Sequence, residues 1–193
     1  MASLFTSVGR LKQSGIPIVT AAEAAAMSTD ADLFFCCGTD PAAVAIHLVT
    51  GSPISHCGFL FREDAGLATV ESTFTQGVHI GRALDYLQMG DGACIVARLE
   101  GMTAETAETL LKKADALIGT HYQVAEEIEM ALHTIIPCMR VKPEWDELFC
   151  SGLIQDVLRG TEWAIPDDKD GGNATPVDVW SQPFVVPICA VVP

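Results

Sequence analysis

Residues 148–158 read Leu-Phe-Cys-Ser-Gly-Leu-Ile-Gln-Asp-Val-Leu. Four apolar residues recur at the spacing of one helix face: Leu153, Ile154, Val157 and Leu158. The pattern predicts an amphipathic helix that packs this face inward and holds Cys150 in its first turn. Free backbone N–H groups and the positive end of the helix dipole stabilise a thiolate there. Because a free cysteine is also a common core residue, a partner base must decide between a nucleophile and a structural thiol.

The composition predicts a single domain. The chain has 193 residues, 49% of them hydrophobic, which is enough to bury one core. We therefore expect one domain over residues 1–193, with residues 1–30 as an N-terminal extension and residues 161–174 as a surface loop. The net charge of -14 opposes binding to a phosphate backbone or an anionic leaflet, so nucleic acid is not an expected partner. The composition leaves the oligomeric state open.

The cysteine content favours a reducing compartment. Seven cysteines are an odd number without regular spacing, and Cys36 and Cys37 are adjacent, so a disulfide framework is not expected. The apolar run at residues 16–19 is shorter than the about 7–15 residues of a secretory signal. No window reaches the roughly 18 apolar residues of a membrane span. We expect a cytoplasmic protein or one associated with a phage particle.

Strand and helix patterns alternate along the chain. The strand patterns lie at residues 31–37, 57–61, 67–74, 78–80, 93–99 and 184–192. The helix patterns lie at residues 83–89, 103–118, 124–136 and 150–158, and a further helix opens at Asp40-Pro41 with an apolar face at Val44, Ile46, Leu48 and Val49. Residues 62–66 form the turn of a hairpin, and Pro187 suits an edge strand. The order predicts an α+β fold with a largely antiparallel sheet.

His56 is the strongest candidate for a base among the five histidines. It begins a strand directly after the loop at residues 51–53, and a junction of loop and strand presents a reactive side chain on a rigid scaffold. His47 and His133 lie in helix patterns and His121 lies at a turn, which is typical of structural or solvated histidines. A histidine that only caps the strand is the alternative reading of His56.

Glu71 supplies a third polar group. It ends the run of the strand that we pair with the strand of His56, so its carboxylate can meet the imidazole across the hairpin. A thiolate hydrolase needs an acidic thiol, an imidazole near it and a polar group that holds the imidazole tautomer. Cys150, His56 and Glu71 supply these three types, although a Glu after a strand is also typical of a solvated surface.

The order of several short motifs resembles a known family. The motifs are Thr50-Gly51-Ser52, Ser55-His56-Cys57-Gly58, Val70-Glu71 with Gly77-Val78, Gly119-Thr120-His121-Tyr122, Phe149-Cys150-Ser151-Gly152-Leu153-Ile154 and Thr175-Pro176-Val177-Asp178-Val179. They are similar to the YiiX/YaeF-type permuted papain-fold proteins, which are relatives of the NlpC-type cell-wall peptidases and of lecithin:retinol acyltransferase. In that family the histidine precedes the cysteine, as it does here. The resemblance covers roughly residues 32–191.

This resemblance implies a circularly permuted papain-like (NlpC-type) fold and a cysteine hydrolase that works through an acyl-enzyme. Carried over by position, Cys150 is the nucleophile, His56 the general base and Glu71 the residue that orients His56. Tyr122 would line the cleft near the oxyanion, and we place Ser151 with it in the group that contacts substrate or oxyanion. The chain departs from the family pattern at Cys57, Gly152 and Gln123.

The implied substrate is a peptide or another small molecule with an acyl bond, such as a cell-wall peptide or a lipid. The alternative from another class is an inactive papain-like module that binds a lipid or a peptide. A zinc site is a rival use of four residues with suitable ligand types: Cys36, Cys37, His56 and Cys57. Because neighbouring strand residues point to opposite faces, few of these four can converge, and we expect neither a metal nor a cofactor.

Overall fold

The computed structural model describes residues 15–73, 75–90, 92–120, 150–166 and 174–193. Within these ranges, six strands form one sheet with helices on both faces. The strands are β1 Asp32–Cys37, β2 His56–Glu63, β3 Gly66–Thr73, β4 Gly77–Arg82, β5 Ala93–Leu99 and β6 Val185–Val191. The helices are α1 Ala21–Met27, α2 Pro41–Thr50, α3 Ala83–Leu87, α4 Ala104–Asp115, α5 Cys150–Leu158 and α6 Pro176–Trp180.

The strand order in the sheet is β4-β3-β2-β1-β5-β6, and every neighbouring pair is antiparallel. β2 and β3 form a hairpin whose register runs from Glu63 opposite Gly66 to Phe59 opposite Val70. β6 lies at one edge, and its pairing with β5 shifts register beside Pro187, which removes a backbone donor. The predicted α+β fold with an antiparallel sheet, the hairpin and the edge strand are confirmed.

Side chains of the sheet alternate between two hydrophobic clusters, one on each face. Leu33, Phe35 and Cys37 of β1 belong to the first cluster, which α4 and α5 cover. Phe34 and Cys36 belong to the second cluster, which α1 and α3 cover. β1 is apolar on both sides because both of its faces are covered. The two adjacent cysteines lie on opposite faces, as the pleat of a strand requires.

Helix α5 packs its predicted apolar face into the first cluster. Leu153, Ile154 and Leu158 are 0% exposed, and Val157 is 1% exposed. The helix contacts β2 and β3 of the sheet as well as α4 and α6. Full burial of each such side chain is worth about 1.5–3 kcal/mol. This packing anchors the helix and thereby sets the position of Cys150, its first residue.

The apolar face predicted for α2 is wrong in part. Val44 is 39% exposed and Leu48 is 70% exposed, whereas Ala43 is buried. The helix reads PAAVAIHLVT and is apolar around most of its circumference, so hydrophobic spacing does not mark the buried side. Ile46 is half-buried, and the side chain of Val49 lies outside the described ones.

Residues 161–166 lie only partly on the surface: Glu162, Ala164 and Pro166 are exposed, whereas two side chains between them are buried. Trp163 is 3% exposed, Ile165 is 6% exposed, and the Trp163 Nε1–H donates to the Glu100 carbonyl oxygen at 2.9 Å. A tryptophan buries a large apolar area once its N–H has an acceptor, and this outweighs the polar composition of the segment. Residues 167–173 of the predicted loop lie outside the described residues.

Part of the predicted N-terminal extension packs against the sheet. Thr20 caps α1, and Ala24 of that helix is 0% exposed in the second cluster. The Ala190 N–H donates to the Pro17 carbonyl oxygen at 2.8 Å, so the chain before α1 runs beside the edge strand β6. This segment covers backbone that an edge strand would otherwise leave open.

Some sequence predictions concern residues that the structure does not describe. The helix predicted at residues 124–136 and the candidates His121, Tyr122 and His133 lie in the range 121–149, outside the described residues. Among the helices that are described, none combines the length and the apolar character needed to cross a bilayer.

Candidate active site

His56 and Cys150 meet at the beginning of strand β2. His56 is the first residue of β2 and lies opposite Cys36 of β1. β2 pairs with β3 from Phe59 onward, and α5, which begins with Cys150, packs against both of these strands. The packing therefore places Cys150 beside the first residues of β2, close enough to Cys57 and His56 for both to shift its pKa.

The Cys150 sulfur is stabilised as a thiolate. The hydrogen bond from the Cys57 side chain contributes most to lowering the pKa of Cys150; burial opposes the shift, and the hydrogen bond and charge of His56 lower it further, to well below its ordinary value. Burial and the neighbouring Cys150 raise the pKa of Cys57, so Cys57 stays protonated and acts as the donor. The sequence reasoning singled out Cys57 only as a departure from the family and a zinc candidate, and it missed this contact.

The imidazole of His56 lies between Cys150 and Glu71. Its Nε2 is 2.7 Å from Glu71 Oε2, which leaves Nδ1 as the nitrogen available to Cys150. Burial disfavours the charged ring, but the hydrogen bonds to Cys150 and Glu71 and their negative charges raise the pKa of His56 to about 10. The structure therefore brings the three predicted side chains together: His56 is hydrogen-bonded to Glu71, and Cys150 lies close enough to shift the pKa of His56.

The carboxylate of Glu71 is buried and accepts hydrogen bonds from three side chains. Besides His56, the Thr69 hydroxyl donates to Oε1 at 2.7 Å, and the Tyr86 hydroxyl donates to Oε2. Burial raises the pKa of Glu71, but these donors together lower it below its ordinary value. Glu71 is 1% exposed, so it is not a solvated surface residue.

Sequence reasoning missed Thr69 and Tyr86. Thr69 precedes Glu71 by two positions on the same strand, and the period of a strand places both on one face. That signal was present in the sequence. No comparable spacing relates Tyr86 to Glu71, because Tyr86 lies on α3, after an intervening strand.

A cleft of about 250 Å³ opens beside His56. Its lining includes Cys36 and Ser72 of the sheet, Tyr86 of α3 and Ile46 of α2. This volume is just below the range of ligand pockets, which measure about 300–1,000 Å³. A small chemical group can therefore reach His56.

The predicted site also includes Ser151 and Tyr122, and a zinc site is the rival use of several cysteines. Ser151 follows Cys150 in α5 and is 2% exposed, while Tyr122 lies outside the described residues.

Within the described ranges, no three His, Cys, Asp or Glu side chains converge in an arrangement that could hold a metal ion. Cys36 lies opposite Cys94 of β5 on one face, and Cys37 lies on the other face.

Gly81 of β4 provides the space that the Glu71 carboxylate occupies. A Cβ atom at this position would lie 2.3 Å from Glu71 Oε1 and 2.6 Å from Thr69 Oγ1, closer than such atoms approach. We expect Gly81→Ala to displace the carboxylate from His56 and to lower the rate of Cys150 alkylation at mildly acidic pH by about tenfold or more. Gly90→Ala is the matched control, since a Cβ there meets no atom within 4 Å. Equal rates in the two variants would contradict the prediction.

No protein-family model and no curated protein sequence matches this chain. Its structure is similar to the crystal structure of the metalloprotein YiiX from Escherichia coli O157:H7, DUF1105, with a TM-score of 0.53 at 20% sequence identity. The match covers 86% of this chain and 98% of that chain. A likeness at this identity concerns the fold. The resemblance to YiiX-type proteins that the motif order predicts is confirmed at that level, and the chain has a YiiX-like α+β fold.

Proposed function

We propose that this protein is a cysteine hydrolase of the permuted papain type, with Cys150 as the nucleophile, His56 as the general base and Glu71 as the residue that orients His56. The observation that carries the proposal is the 2.7 Å hydrogen bond between His56 and Glu71, with Cys150 beside the same imidazole, close enough to shift its pKa. A lowered pKa of the thiol and a raised pKa of the imidazole describe an ion pair, which is the reactive form of a cysteine nucleophile. The YiiX-like fold and the order of histidine before cysteine support the same proposal.

In the first half of the reaction, the Cys150 thiolate attacks the carbonyl carbon of an amide, ester or thioester. The oxyanion of the tetrahedral intermediate accepts a hydrogen bond from the Cys150 backbone N–H, which in the first turn of α5 has no acceptor within the helix. The His56 imidazolium then donates its proton to the leaving group as the carbon–leaving-group bond breaks. An acyl group remains on the sulfur.

In the second half, water releases the acyl group. Neutral His56 removes a proton from the water, the resulting hydroxide attacks the thioester carbonyl, and the carbon–sulfur bond breaks to restore the thiolate and the imidazolium. Glu71 stays ionised throughout, since three donors hold its charge, and it keeps the imidazole ring in one orientation. The cleft beside His56 has room for a small part of the substrate, which we propose to be a peptide or lipid acyl compound.

Alkylation with iodoacetamide tests whether Cys150 is an activated nucleophile. At about pH 6 we expect selective labelling of Cys150, because an ordinary thiol with a pKa of about 8.5 is almost fully protonated there. Burial raises the pKa of Cys37 to about 12 and, together with neighbouring negative charges, that of Cys189 to about 11, so these thiols stay unreactive. Peptide mapping by mass spectrometry identifies the labelled residue.

The pH dependence of that rate gives the decisive result. Since the imidazolium favours the thiolate, the rate of Cys150 alkylation should reach half its maximum well below the pH at which a free thiol does, and His56→Ala should move this midpoint upward. Cys189→Ala is the control that leaves the profile unchanged. A wild-type midpoint at or above about 8.5 would exclude the ion pair and favour a papain-like module that only binds its ligand.

A further inference from the structure

We propose that Tyr86 is a positioning residue for the Cys150–His56 pair and acts through Glu71. The proposal rests on the proposed function. The Tyr86 hydroxyl donates to Glu71 Oε2, and this is the same oxygen that accepts the hydrogen bond from His56 Nε2. Tyr86 therefore contacts the same carboxylate oxygen that orients the imidazole.

The ring of Tyr86 contacts two other rings, those of Phe34 and His56. It stacks on Phe34 with a centroid distance of 4.7 Å and an interplanar angle of 28°, and it lies 5.3 Å from the His56 ring. Phe34 is itself fully buried and lies over Gly58, where a Cβ would approach its ring to 2.7 Å. The absence of a side chain at Gly58 thus admits Phe34, and Phe34 supports the ring that carries the donor.

The hydroxyl of Tyr86 remains a donor at every relevant pH. Burial and the charge of Glu71 raise the pKa of Tyr86 above its ordinary value, so the phenol stays protonated. Thr69 donates to the other carboxylate oxygen, and Tyr86 and His56 share Oε2. A buried carboxylate that loses one of these donors becomes easier to protonate.

Other titratable groups around Glu71 do not replace this donor. They are His56 on β2, His79 on β4, Cys36 on β1 and, through His56, Cys150 on α5. Burial raises the pKa of Cys36 well above its ordinary value, so it stays neutral. The Nδ1 atom of His79 is engaged with the Gly77 carbonyl oxygen at 2.9 Å.

The sign of the effect follows from this arrangement. Without the Tyr86 hydroxyl, the pKa of Glu71 rises and the carboxylate becomes neutral at a higher pH. A neutral Glu71 stabilises the His56 imidazolium less, so the pKa of His56 falls. With less positive charge on the ring, the pKa of Cys150 rises. The acid side of the Cys150 reactivity profile must therefore move to higher pH.

The test is the pH profile of Cys150 alkylation by iodoacetamide in Tyr86→Phe, which keeps the ring and removes the hydroxyl. We expect the midpoint to move up by about one pH unit and the rate at mildly acidic pH to fall about tenfold, as for the loss of one hydrogen bond to a charged group. Trp163→Phe is the matched control: it removes a buried aromatic N–H donor whose acceptor is the Glu100 carbonyl oxygen and not Glu71, and it should leave the midpoint unchanged. Circular dichroism checks the fold of both variants.

A double-mutant cycle separates action through Glu71 from a general loss of packing. In a Glu71→Ala background, which lacks the oxygen that accepts from Tyr86, Tyr86→Phe should add nothing to the shift, whereas additive effects would overturn the proposal. If Tyr86→Phe does not fold, Tyr86→Leu also removes the hydroxyl and should move the midpoint the same way; no movement in that variant would overturn the proposal. An unchanged midpoint in folded Tyr86→Phe, with an acid-shifted wild type, overturns the role of Tyr86 and leaves the proposed function standing. A wild-type midpoint that is not acid-shifted overturns both.

Discussion

Cys150→Ala and His56→Ala should each lower turnover of an acyl substrate by a factor on the order of 10⁴, because nucleophile and base act as one unit. Without the thiol no acyl-enzyme forms, and without the imidazole the thiolate is lost near neutral pH and the leaving group receives no proton. The measurement is steady-state hydrolysis of amides and thioesters that the wild type turns over. The burst of p-nitrophenolate from p-nitrophenyl acetate reports acyl-enzyme formation independently.

The double variant is the internal check on this prediction. Two residues of one catalytic unit have effects that do not add, so combining Cys150→Ala with His56→Ala should cost no more than either change alone. Cys189→Ala is a matched cysteine control, since Cys189 is buried on β6, in the second cluster. Wild-type turnover in either single variant would refute the assignment of the nucleophile or of the base.

Glu71→Ala should lower kcat/KM by a factor on the order of 10³, and Glu71→Gln by only about tenfold. Alanine removes the acceptor of His56 Nε2 and leaves the Tyr86 and Thr69 hydroxyls without their acceptor. Glutamine retains an oxygen for His56 and Tyr86, and its NH₂ group can donate to the Thr69 hydroxyl, which is able to accept. What glutamine lacks is the charge that stabilises the imidazolium.

The ranking of these two variants separates orientation from charge. Equal losses for Glu71→Ala and Glu71→Gln would mean that the charge contributes everything and the hydrogen bond nothing. Wild-type activity in both would mark Glu71 as a bystander of the reaction. Thermal unfolding of each variant, measured in parallel, distinguishes a loss of activity from a loss of fold.

The helix of Cys150 shows how far local spacing carries a prediction. Its apolar residues repeat with the period of a helix, and the four predicted to face inward are buried. The same reasoning was wrong for α2, where Val44 and Leu48 are exposed. A helix that is apolar on most sides has no preferred face until the rest of the fold decides which side is covered.

The contact between His56 and Glu71 could be anticipated because a hairpin connects their strands. A short turn limits the registers that two strands can adopt, so a polar residue on one strand has few positions relative to the other. The structure places the two side chains in contact at 2.7 Å. Their catalytic roles stay a proposal.

The sequence by itself determined the local features: the Cys150 helix, the hairpin of β2 and β3, the edge strand with Pro187, and the placement of Cys36 and Cys37 on opposite faces. These follow from periods of 3.6 and 2 residues and from the backbone limits of proline. Only the tertiary structure decided that Cys57 lies close enough to Cys150 to lower its pKa, that Tyr86 reaches Glu71, and that Trp163 is buried. Each of these contacts joins segments whose relative position depends on strand order and helix packing, and no local period of the chain encodes it.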